Sequence, residues 1–179
     1  MNLSAIYKLT VFIVLLCAGK SGLAASAGTG GVSTAFSKNS TSVAFILGSG
    51  SAFNDNYIIA GIGVGYYVVR GLELGIDLQY WFSGDPSITK VSPQIKYVFT
   101  QPEVIKPYVG VFYRRTYYGD YRGIDLDDQD SYGYRAGAYF STNNRVYVGL
   151  GAVYEEYKGC SAYTDCSNTY PEVLVTVSF

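Results

Sequence analysis

The chain has 179 residues, of which 16% are aromatic and 15% charged, with 19 Tyr, 21 Gly and a net charge of −1. That length suits one domain, the Tyr and Gly content favours strands and turns over a helical bundle, and the near-neutral charge lacks the concentrated basic patch that nucleic acid requires. His is absent, which excludes Ser-His-Asp catalysis and imidazole metal sites.

In chain order, Lys8 precedes an apolar run from Leu9 to Ala18, followed by small residues. This reads as a secretory signal peptide over residues 1–27, cleaved after Ala24 or Ala27. Cys17 lies inside it, and Leu16 stands where a lipoprotein would carry a small residue, so lipidation is disfavoured. Residues 28–40 are rich in Gly, Ser and Thr and read as a flexible periplasmic lead-in. No later segment has the ~20 uninterrupted apolar residues of a spanning helix. Entry into a membrane would therefore require a closed barrel, the only strand structure that satisfies its own backbone in hydrocarbon.

Stretches of period two then recur along residues 41–179. The first runs from Thr41 to Gly50, with Val43, Phe45 and Leu47 on one parity. The second, Tyr57 to Val69, sets Ile58, Ile62, Val64 and Tyr66 against Gly61, Gly63, Gly65 and Tyr67. Arg70-Gly71 turns the chain into Leu72 to Phe82, whose parities differ most: Leu72, Leu74, Ile76, Leu78, Tyr80 and Phe82 oppose Glu73, Asp77, Gln79 and Trp81.

The fourth stretch, Ile88 to Phe99, contains Pro93 on its apolar parity. A proline removes a ladder donor there, which predicts a bulge. Lys106 to Tyr118 is the fifth, followed by an acidic connection from Gly119 to Asp130. The sixth is Ser131 to Ser141, the seventh Arg145 to Tyr157 and the eighth Glu172 to Phe179. An even number of strands, with short turns at one end and mostly longer polar loops at the other, is the pattern of an outer-membrane barrel.

The apolar parity is nearly free of charge and gathers Tyr and Phe near its ends, as two membrane interfaces favour. The other parity carries Gly, Tyr and isolated charges: Glu73, Asp77, Glu155 and Glu172 against Lys90, Lys96, Arg114 and Arg135. An eight-stranded lumen is just wide enough for side chains to fill, so balanced charges there can pair as a plug. Glu73 and Asp77 are expected to pair with Lys96 rather than to act as acid and base. The competing reading is a soluble sandwich or lipocalin-like barrel, whose wet face would carry more Lys and Glu and less Gly.

From Thr41 to Phe179 the chain resembles the small eight-stranded outer-membrane barrels of the OmpX and OmpA-transmembrane type. Its last residues, Val173, Val175, Val177 and Phe179, resemble the terminal aromatic signal that barrel-assembly machinery reads. The resemblance implies an all-β, antiparallel up-and-down transmembrane barrel over residues 41–179 and a location in the bacterial outer membrane. It also implies a monomer whose partners are lipid, lipopolysaccharide, periplasmic chaperones and the assembly machinery. Fold alone does not fix activity.

Asp125, Asp127, Asp128 and Asp130 invite a calcium reading, but Asp130 occupies the position where an EF-hand loop needs Gly, and no Glu closes the loop. With Tyr117, Tyr118, Tyr121 and Arg122 they read as a solvated loop that could meet an extracellular ligand. Cys160 and Cys166 have no other soft ligands nearby and, in an oxidising compartment, are expected to form a disulfide. The function expected is a non-enzymatic, cofactor-free barrel with a plugged lumen, acting structurally or through its loops. The alternatives are a narrow porin-like channel and a lipid-modifying enzyme, the latter disfavoured without His.

Overall fold

A computed structural model describes residues 34–102, 104–119, 126–141, 145–159 and 166–179. The expected signal peptide and residues 28–33 of the lead-in lie outside the described residues. A short 3-10 turn, Thr34–Phe36, is followed by strands β1 (Thr41–Ala52), β2 (Asp55–Val69), β3 (Leu72–Phe82) and β4 (Ile88–Val98). Strands β5 (Ile105–Tyr118), β6 (Gln129–Ser141), β7 (Val146–Tyr157) and β8 (Ser167–Ser178) complete the set. Each pairs antiparallel with the next, and β1 pairs with β8 to close the barrel.

One rim, here the terminal rim, carries Thr41, Phe179 and the turns after β2, β4 and β6. The distal rim carries the other four connections. One of these is tight: Phe53 and Asn54 both have positive φ between β1 and β2, as a two-residue hairpin of matching twist requires.

The two parities of β3 separate completely. Leu74, Ile76, Leu78, Tyr80 and Phe82 face outward at 37% exposure or more, while Glu73, Asp77, Gln79 and Trp81 are buried inside. The same division holds around the wall, so the outside is the apolar face and the inside the polar one. A soluble barrel has the opposite arrangement, and the reading as one fails on this point.

Two local expectations need correcting. Pro93 causes no bulge: it sits opposite Ile76 in a constant β3–β4 register, and its missing donor coincides with a break in the β4–β5 pairing between Val91–Arg115 and Gln94–Phe112. The register shift lies instead in β2 between Tyr67 and Val69. The segment before β1 is also not a free lead-in from Thr34 onward. Phe36 is 1% exposed, its carbonyl accepts from Gly71 N–H at 2.8 Å, and Asn39 N–H donates to Tyr67 O at 2.8 Å. Small-residue composition concealed one apolar ring with a place to go.

Candidate functional site

The inward parity delivers its side chains to the lumen in layers, where most are buried. All eight charges expected there are at most 3% exposed. Nearest the terminal rim, Glu73 and Lys96 are direct cross-strand neighbours on β3 and β4, with Oε1 and Nζ 3.0 Å apart. Lys96 also donates to the Tyr139 hydroxyl at 2.9 Å.

In the middle layer, Arg135 on β6 reaches across to Asp77 on β3 at 2.9 Å and lies 3.6 Å from Glu172 on β8. Gln94 donates to Asp77 Oδ1 at 2.7 Å and the Tyr108 hydroxyl to Glu172 Oε1 at 3.1 Å. Asp77 therefore does not pair with Lys96 as expected. The register puts Ser92, not Lys96, opposite Asp77, and the longer guanidinium from across the lumen takes the carboxylate.

The distal layer is centred on Glu155. It accepts from Lys90 at 2.9 Å, from Arg114 at 2.8 Å and from the Ser131 hydroxyl at 2.6 Å. Arg114 donates further to Ser92 Oγ at 2.6 Å and to the Tyr170 hydroxyl. Lys90 lies 4.0 Å from the centre of the Trp81 ring, whose π face favours a cation. Isolated charges at this burial would be costly, and ion pairing offsets that cost, although Arg135 Nε and Nη2 and Glu172 Oε2 have no hydrogen-bond partner among the described residues.

Room for these side chains comes from β2. Gly63 faces Asp77 across the β2–β3 ladder and Gly65 lies diagonal to Glu73, and a Cβ at either would come within 2.5 Å of the carboxylate. The inward glycines of β2 are thus the complement of the acids on β3.

Aromatic layers close the network at both ends. Toward the terminal rim, Phe36 packs with ring centres 4.7 Å from Tyr147, 5.7 Å from Tyr67 and 5.8 Å from Tyr139. Toward the distal rim, Tyr57, Trp81, Phe112 and Tyr170 cluster with Ile59, Ile88 and Val153. Phe36 and Tyr170 were missed from the sequence. Tyr170 carried a legible signal, because Asn168, Tyr170 and Glu172 extend the inward parity of the last strand backward.

Outside the lumen, Val173, Val175, Val177 and Phe179 lie on the outward parity of β8 and its end, with Phe179 paired to Thr41. Asp128 and Asp130 bind Arg115 at 3.3 and 3.0 Å on the outer wall, and Tyr118 donates to Gln129 at 2.8 Å. Tyr117 and Asp127 are exposed, and no metal-binding cluster occurs among the described residues. Tyr121, Arg122 and Asp125 lie outside the described residues. Cys166 is disulfide-bonded, and its expected partner Cys160 also lies outside them.

No family model and no curated protein matches the sequence. Solved structures do match the fold. The N-terminal β-barrel domain of Pseudomonas aeruginosa OprF superposes with a TM-score of 0.61 at 16% identity, over 79% of this chain and 98% of that one. Neisserial surface protein A gives 0.60 at 18% identity over 78% and 96%, and P. aeruginosa OprG gives 0.53 at 10% over 82% and 98%. The chain has the eight-stranded fold of these outer-membrane barrels.

Proposed function

We propose that this chain is a non-conducting, non-enzymatic outer-membrane barrel whose lumen is a charge-neutral plug and whose specific contacts are made by its distal connections. The observation that carries this reading is the interior itself. Four acids and four bases, each at most 3% exposed, pair with one another between two aromatic layers. Such packing among the described residues supports a lumen closed to ions and solutes.

The membrane placement follows from the outer wall. A continuous belt including Phe45, Leu47, Ile62, Leu78, Val111 and Leu150, each 45% exposed or more, would aggregate in water and is suited to hydrocarbon. Tyr66, Tyr97, Tyr113 and Tyr132 stand at its margins, where amphipathic rings favour the interfaces. The terminal rim then faces the periplasm, the assembly machinery and chaperones act on the unfolded chain, and the distal rim faces the outside. A Cys160–Cys166 disulfide would stiffen one distal connection.

Liposome swelling with the refolded protein tests this reading. Vesicles that carry the protein should swell in neutral sugars no faster than empty ones. Swelling that scales with protein content would replace the plug with a narrow porin.

A further inference from the structure

The β1–β8 seam is only partly zipped. Pairing runs from Ser42–Ser178 to Gly48–Glu172 and stops, although β1 continues against β2 to Ala52 and β8 continues against β7 to Ser167. Pro171 explains where it stops. Phe179 N–H bonds Thr41 O across the seam, while Ser178 N–H bonds Arg145 O on the other side. Counting back by twos, Pro171 is the next residue after Val173 whose donor should face β1, and proline has none. Its constant-register partner would be Ser49.

Beyond that point the two strand edges enclose a crevice of about 370 Å³, lined by Ser49, Ser51, Asn56, Asn168, Thr169 and Tyr170. Asn168 Nδ2 donates to Ser51 O at 3.0 Å, a side-chain bridge where a ladder bond would otherwise be, and Ser51 Oγ donates to Asn56 Oδ1 at 3.0 Å. Gly50 forms part of the lining, and a Cβ there would lie 2.8 Å from the buried Trp81 indole, so that ring packs against Gly50 from the lumen side. Tyr170 turns its hydroxyl inward to Arg114, and its ring packs edge-on against Trp81 with centres 5.2 Å apart.

Among the described residues, the lining has hydroxyls, amides and backbone groups on two facing edges and no acidic or basic side chain. A phosphate would find no cation among these residues and an acyl chain no continuous apolar surface. The chemistry that fits is a compact neutral ring bearing several hydroxyls, which the Ser and Thr hydroxyls and Asn amides can meet as donors and acceptors. The crevice also begins one step distal to Leu47 and Val173, the last outward apolar pair of the seam.

We propose that the split β1–β8 seam binds a neutral sugar ring. Its height rests on the membrane placement proposed above and makes the headgroup of a neutral glycolipid one source, with free saccharide the other.

The test follows the Ser49, Ser51 and Thr169 amide resonances and the emission of Trp81, the single Trp of the chain. Lactose is titrated into refolded protein in a zwitterionic detergent, and digalactosyl diacylglycerol into phosphatidylcholine bilayers that hold the protein. Saturable shifts at these amides support the proposal. A response to lactose assigns free saccharide, and one to the glycolipid alone assigns the headgroup. Pro171→Val restores the donor and should close the seam, abolishing the shifts without unfolding the barrel. Thr169→Val, which removes one hydroxyl, should weaken binding by up to about tenfold. Absence of saturable shifts with both probes, or shifts unchanged in Pro171→Val and Thr169→Val alike, overturns the proposal. Failure to enter bilayers would count against the membrane reading and leave the lactose result standing.

Discussion

Arg114 on β5 and Glu155 on β7 meet across the lumen with Nη1 and Oε2 2.8 Å apart, and neither side chain is exposed. Because Lys90 shares the same carboxylate oxygen at 2.9 Å, one acid compensates two bases from different strands. The local charge excess is balanced one layer deeper, where Arg135 stands between Asp77 and Glu172.

Glu155→Gln should therefore be severe. It leaves two buried cations with one neutral acceptor, a change of roughly 3–5 kcal/mol when a buried pair is broken. Thermal unfolding of the refolded protein in detergent measures it, with a lower midpoint expected. Replacing Lys90, Arg114 and Glu155 together with Met, Met and Leu should recover most of the loss, since no charge then remains unpaired.

Gly63→Val tests the fit between β2 and β3. The new side chain would need the space held by the Asp77 carboxylate, whose Oδ1 lies 2.3 Å from the added Cβ position. Overpacking of this kind costs about 1–3 kcal/mol. A urea titration of the folded barrel should show an earlier midpoint, and pairing with Asp77→Gly should relieve part of it.

How far the sequence could be read is visible in β3. Its outward Leu, Ile, Tyr and Phe and its inward acids were legible because a strand's period of two is local and needs no partner. The pairing of Asp77 was not, because it depends on the register of β4 and on a guanidinium arriving from β6. Pro171 escaped notice for another reason. The loop after Cys166 reads as running to Glu172, whereas β8 begins at Ser167 and continues its alternation through a proline on the outward parity.

Phe36 should act as a stopper at the terminal rim. Phe36→Ala removes the ring that packs against Tyr67, Tyr139 and Tyr147 but leaves the strand ladders intact. The expected outcome is local release: trypsin should cut after Lys38 much faster in the variant, while the melting point of the barrel changes little. Equal cutting rates would mean that the backbone bonds of Gly71 and Tyr67 hold the segment without the ring.

The Cys160–Cys166 disulfide is expected to be dispensable for the barrel. Mass spectrometry of protein taken from cells should find the two bonded, and reduction should change stability by no more than about 2 kcal/mol, the chain-entropy value for so short a loop. Two free thiols in native protein would remove the bond from this account.

The proposed closure of the lumen is most directly tested by single-protein recordings in planar bilayers. The unmodified chain should give only rare, small conductance events, because paired charges and two aromatic layers occupy the space through which ions would have to pass. Replacing Arg114 and Arg135 with Ala should raise the frequency of openings. Steady, ohmic conductance from the unmodified protein would contradict the plug.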